Sequence, residues 1–170
     1  LAGDRMVYAD DLRDDSDLFK GLLRVSLFQA PTGVLLNGMK EVSTLQPETV
    51  YVSWKAGLPA ARSVRAALPI LREAKDVTIA IFDPVANQLR DGDNPGSDVA
   101  RWLSHQGCKV TVKQFPSGGE LVGTVLLKRA KEAGADLIVM GAYDHSRLRE
   151  VVFGGTTKTL IEQQDCPVIL

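Results

Sequence analysis

Gly141, Asp144, Gly154, Gly155, Thr156 and Thr157 share one stretch, GAYDHSRLREVVFGGTT, that follows an apolar run and leads into a helical one. Glycines after a strand let backbone N–H groups come close to an anion, and a following helix start adds free donors and a partial positive charge. The two threonines supply hydroxyls, or simply cap the helix. Taken alone the stretch leaves both roles open, a phosphate cradle and a plain turn with a cap. Asp144 fits an anion site poorly. A carboxylate 4 Å from a phosphate charge costs about 1 kcal/mol in bulk water and several times that at a partly dry surface.

Other reactive side chains do not form a catalytic set. Asp144, His145 and Ser146 are the three residue types of a hydrolase triad, but three consecutive loop residues cannot hold triad geometry among themselves. Arg147 and Arg149 suit exposed salt bridging as well as anion contact. His105, near the end of an exposed helix, reads as ordinary surface. Cys108 and Cys166 show neither a C-x-x-C nor a Cys/His spacing, so no metal site is expected. Their usage points to a reduced, cytoplasmic setting. No Walker lysine motif occurs, and no catalytic residues are assigned. Over 170 residues the net charge is −1 and the pI about 6.2, with 45% hydrophobic and 24% charged residues. That balance argues against a nucleic-acid binder, and the apolar runs are too short for a membrane span. No basic-then-apolar segment opens the sequence, so no secretory signal is expected.

The elements that must position the loop alternate regularly from residue 48. Strands are expected at 48–54, 76–82, 108–115, 135–141 and 166–170, and helices at 58–74, 97–107, 119–134 and about 155–164. Pro59 suits the first turn of the first helix; Pro69 predicts a kink or late break. Ser97 is the expected N-cap of the second helix. Residues 83–96, rich in Asp, Asn, Gly and Pro, read as loop. Strands alternating with helices predict a parallel sheet wrapped on both faces, with ligands beyond the carboxyl ends of the strands. The loops after the first and fourth strands then face each other. Lys55 either pairs with Asp144 across that cleft and fills it, or meets a phosphate itself. Trp54 closes the first strand, either stacking on a base or joining the core.

Residues 1–47 stand apart from this series. The first 18 hold six aspartates and read as a solvated arm. Next come one helix and one short strand. SLFQAPTGVLL (26–36) and LIEQQDCPVIL (160–170) both pass from a helix end through a polar turn into Val and two aliphatic residues. Residues 16–37 are therefore either the closing helix and strand of a preceding copy, or one more helix–turn–strand piece of the kind any α/β chain makes.

The spacing from Gly141 through Asp144 to Gly154, with CPVIL after it, resembles the universal stress protein family. Nucleotide-binding members there carry Gly, two residues, Gly, nine residues, Gly and a hydroxyl residue. VYVSWKAGLPAARSVRAALPIL also resembles the opening strand and helix of the tandem-domain members. The resemblance covers 48–170 and implies a flavodoxin-like, adenine nucleotide α-hydrolase-like fold. That fold is a doubly wound five-stranded parallel sheet in the order 3-2-1-4-5. It further implies a homodimer through the strand at 166–170 or an equivalent contact between tandem copies. ATP with Mg²⁺ is the implied ligand. Gly141, Gly154, Gly155, Thr156 and Thr157 would hold the phosphates, while Trp54, Lys55 and Phe82 would flank the base and ribose. Two departures count against binding: Lys55 replaces an aspartate, and Asp144 replaces a glycine. The leading expectation is thus a non-enzymatic stress-response module with weak or lost ATP binding. An intact ATP site, or a nucleotide hydrolase or phosphotransferase using Asp144 as a metal ligand, are the alternatives.

Overall fold

In this computed structural model the described residues are 6–8, 19, 21, 23, 25–27, 33–36, 46–84, 94–142, 155–163 and 165–170. The strands are β1 (Met6–Tyr8), β2 (Gly33–Leu36), β3 (Thr49–Ser53), β4 (Asp76–Phe82), β5 (Val110–Phe115), β6 (Leu137–Met140) and β7 (Val168–Ile169). The helices are α1 (Leu58–Glu73), α2 (Ser97–His105), α3 (Val122–Glu132) and α4 (Gly155–Glu162). Residues 19, 21, 23 and 25–27 are helical as well.

The sheet has seven strands in the order β1-β2-β7-β6-β3-β4-β5. The five strands expected from residue 48 onward lie in the order 3-2-1-4-5, all parallel. The five-stranded, wholly parallel sheet of the sequence reading nonetheless needs correction. β2 adds antiparallel to β7, and β1 adds parallel to β2, making a larger mixed sheet. Part of the acidic arm is therefore a strand: Met6–Tyr8 pair with Gly33–Leu35.

Alternation along the strands splits the core between the two faces of the sheet. Val50, Val52, Val77, Ile79, Ile81, Leu137 and Val139 face α1 and α2, where Val64, Ala67, Leu71, Val99 and Leu103 cover them. Tyr51, Ala80, Ile138 and Met140 face the other way, against Leu126 and Ala130 of α3 and Leu160 and Ile161 of α4. All four residues of β6 are buried, as a central strand covered on both faces requires. Asp136 fixes the register of the two central strands, its Oδ2 accepting the backbone N–H groups of Glu48 and Thr49 at 3.0 Å each. β3 and β6 therefore start level and end level, which brings their following loops together.

Three local expectations change. Pro69 does not break α1, which runs unbroken to Glu73 with Pro69 on its exposed side, where a helix tolerates a missing hydrogen bond best. The N-cap of α2 is Gly96, at φ 86°, and Ser97 is the first helical residue without a side-chain capping bond. At that φ a side chain is strained, so glycine takes the position for its conformation; a Cβ there would also push on the end of the Ile81 side chain, 2.6 Å away. α3 begins at Val122, after two glycines of positive φ at 118 and 119 that keep the chain in a turn.

Candidate functional site

The chain runs outward from β3 to β4 and β5, then returns to β6 on the other side of β3. α1 covers one face and α4 the other, so the switch point lies between the carboxyl ends of β3 and β6. Trp54, Lys55, Ala56 and Gly57 leave β3 there, and Gly141 and Ala142 leave β6. The first turns of α1 and α4 contain no acidic residue. Gly57 enters α1 in an extended conformation and offers no side chain as a cap. The start of α1, without a side-chain cap, thus offers backbone donors that an anion could use.

Gly141 has a structural task at this point. A Cβ there would lie 2.5 Å from Ala60 N and 2.9 Å from both Ala60 Cα and Pro59 C. Only hydrogen lets the loop after β6 pass the first turn of α1. The same economy seats α4: a Cβ on Gly123 of α3 would come within 2.8 Å of Thr159 Cβ and 3.1 Å of Thr156 Cα. Thr156 is half-buried at that crossing, and Thr157 is buried in the core, 4% exposed. Gly155 opens α4 and is exposed, with Leu121 beside it; a Cβ there would have Leu121 Cδ2 at 3.9 Å. Asp144 and Gly154 lie outside the described residues.

Trp54 is half-buried against the cluster under α1 and α2, and its backbone N–H donates to Ala80 O at 2.8 Å. Phe82 packs on the opposite face. Its ring stacks on Phe115, with centroids 5.6 Å apart and planes 25° apart, and the Arg129 guanidinium sits 5.2 Å from the Phe115 centroid. Arg129 also pairs with Glu132 at 2.8 Å. Lys55 is exposed at the switch point, whereas the two aromatic residues expected beside it turn to different faces.

The sequence reading passed over Asp83, which follows Phe82 with φ 48°. Its Oδ1 accepts the Ser117 N–H at 2.7 Å, and its own N–H donates to Phe115 O at 2.9 Å. Those bonds clamp the loop after β4 to the loop after β5. Hydrogen bonds from the backbone and, to a lesser degree, the side chain of Ser117 hold the Asp83 carboxyl below its usual range. An aspartate directly after a strand was the available signal, since Asp tolerates the left-handed region better than most residues.

Residues 109–170 match the model of the Universal stress protein family. This segment carries β5, α3, β6, α4 and β7. Thus the universal stress protein match includes Gly141, Asp144, Gly154, Gly155, Thr156 and Thr157, while Trp54, Lys55 and Phe82 precede it. Among solved structures, the chain is similar to a universal stress protein from Archaeoglobus fulgidus DSM 4304, at 18% identity and TM-score 0.61, over 96% of this chain. It spans 58% of that relative's chain. A universal stress protein from Archaeoglobus fulgidus aligns at 21% identity and TM-score 0.52, over 74% of this chain and 97% of that one. Universal stress protein UspA from Lactobacillus plantarum aligns at 14% and 0.54, over 74% and 97%. At these identities the structural likeness shows the fold alone. No curated protein matches the chain.

Proposed function

We propose that this chain is a non-enzymatic stress-response module of the universal stress protein type, with a degenerate nucleotide cleft at the β3–β6 switch point. The observation that carries this reading is the division of the two aromatic residues between opposite faces of the sheet. Trp54 is held in the cluster under α1, and Phe82 in its stack with Phe115, so they cannot close on one adenine ring. The phosphate end is better preserved. Gly155 and Thr156 lie at the start of α4, neither α1 nor α4 carries an acid in its first turn, and Lys55 is exposed just after β3. Those groups fit a phosphate, and this favours a second reading in which ATP with Mg²⁺ still binds through its phosphates. Asp144, where the family's binding members have glycine, works against it. No step of turnover is assigned to any residue.

Mass spectrometry of the small molecules released on denaturing freshly purified protein tests the proposal. We expect no stoichiometric adenine nucleotide, and only weak uptake when ATP and Mg²⁺ are titrated in. One nucleotide per chain would overturn the degenerate reading in favour of the intact one. Phosphate release from added ATP at a rate proportional to protein, and lost in a Lys55→Ala variant, would overturn the non-enzymatic part.

A further inference from the structure

The strand pair β2–β7 has the register of a two-fold contact. Leu35 stands opposite Ile169, and Leu36 opposite Val168. Val34 and Leu170 exchange both backbone bonds, at 3.1 and 2.9 Å. Aligning Val34-Leu35-Leu36 with Val168-Ile169-Leu170 makes Leu35 and Ile169 equivalent, and they are the pair at the centre. Val34 then meets Leu170 just as its counterpart Val168 meets Leu36, the counterpart of Leu170, as an isologous contact demands. Side chains obey the same rule: Val34, Leu36, Val168 and Leu170 share one face, and Leu35 and Ile169 the other.

The correspondence continues outward. β1 runs parallel to β2 as β6 runs parallel to β7. Val7 pairs Val34 and Ile138 pairs Val168, so Val7 stands for Ile138. That register, set by strands alone, places Ala2-Gly3 of the sequence on Ala133-Gly134, the pair that ends α3. Counting back from β2 places Phe19 on Phe153 and Gly21 on Gly155. Helical residues Phe19 and Leu23 pack into the cluster that also holds Leu160 and Ile161 of α4, on the one face where a two-fold mate of α4 belongs. The archaeal fold match extends through this arm, covering 96% of the chain, and leaves much of the relative's chain unmatched.

We propose that residues 6–36 are the closing strand, helix and strand of a second domain of this fold, and that the outer edge of β1 docks that domain's body. β1 ends the sheet, pairing on one side only among the described residues. Its counterpart β6 is paired on both sides, by β7 and by β3. The occupant is therefore a parallel strand of the β3 kind, laid beside Met6–Tyr8 in the register that β3 takes on β6, with its own two flanking strands beyond it. An unpaired strand edge exposes backbone donors and acceptors that favour such addition.

Two probes test this on the whole chain. In the first, a copy of residues 46–131 is fused directly before Leu1. Amides of Met6–Tyr8 that point outward should exchange freely in the chain alone, and at least about tenfold more slowly in the fusion, which stays monomeric. In the second, a peptide of residues 48–54 with a nitroxide at its amino end is added to the unfused chain. Parallel addition should broaden the Met6 signals more than those of Tyr8. Outward amides already protected in the chain alone would overturn the proposal. So would antiparallel peptide addition, or no change at β1 with either probe.

Discussion

At the scale of single residues, charge and burial decide what the switch point can hold. Asp144 stands where the nucleotide-binding members of the family that the sequence resembles carry glycine, and a carboxylate about 4 Å from a phosphate costs about 1 kcal/mol or more. We predict that Asp144→Gly tightens ATP binding by about fivefold or more in a calorimetric titration. Asp144→Asn should recover most of that gain if the charge, and not the backbone conformation, is the obstacle. Unchanged affinity in both variants would leave Lys55 or a closed cleft as the barrier. Away from the cleft, the buried Tyr51 hydroxyl and Arg129 Nε have no hydrogen-bond partner among the described residues. Burial is the main reason that the Tyr51 pKa is pushed up to about 12, eased by the charge of Arg129 and raised further by Glu132. The unfolded chain ionises near the ordinary 10, so stability is complete below that and falls as the pH rises toward 12, at about 1.4 kcal/mol per unit. Burial pushes the Cys166 thiol up to about 11, adding a separate loss between the ordinary 9 and that value. Tyr51→Phe should remove the upper part of this alkaline decline while changing stability little near neutral pH. Denaturant midpoints measured along the pH scale check both statements, and an unaltered decline would contradict them.

At the scale of elements, two close approaches set the site's shape: the loop after β6 against α1, and α3 against α4. Gly123 is the contact point of the second. We predict that Gly123→Val destabilises the protein by about 1–3 kcal/mol, because Cβ atoms and a backbone Cα on α4 cannot give way as a flexible side-chain end can. The same change should displace the start of α4, seen as shifts in the amide signals of Gly155 and Thr156. A stable variant with unmoved signals would show that the helices have room to part. The elements themselves were legible in sequence where periodicity was strong. β4, β6 and α1 announce themselves through alternation, a continuous apolar run and helical spacing, while the order of the strands in the sheet followed from the family resemblance alone. The misreadings arose where tertiary contact outweighs local preference. Ser97 looks like a cap, yet the turn is set by Gly96 against Ile81; Pro69 looks like a breaker, yet its missing donor points to solvent. The site was legible as a place and only partly as a set. Glycine spacing located the switch point, but no local pattern tells that Trp54 and Phe82 sit on opposite faces, or that Asp83 clamps two loops.

At the scale of the whole molecule, the decisive question is which strand takes the outer edge of β7. Assembly of two chains through residues 166–170 and the internal pairing with β2 compete for the same backbone groups. In this structure the edge is filled from within. Leu35 and Ile169, 1% and 0% exposed, form the closer, non-hydrogen-bonded pair at the centre of the contact. Phe19, Leu23, Val34 and Leu36 are buried with them, and side chains of this size stabilise by about 1.5–3 kcal/mol each on full burial. A chain of another copy would have to displace all of that to reach β7. Facing residues in such a pair lie within reach of a disulfide. We therefore predict that the double variant L35C/I169C, made with Cys108→Ala and Cys166→Ser so that no other thiol competes, closes a bridge within one chain on mild oxidation. It should run as a monomer without reductant and gain resistance to denaturant, since the bridge closes a long loop of the unfolded chain. Bridged dimers would mean that β2 is exchanged between copies. Free thiols in a folded monomer would mean that the arm leaves the edge, and the homodimer implied by the family resemblance could then form there.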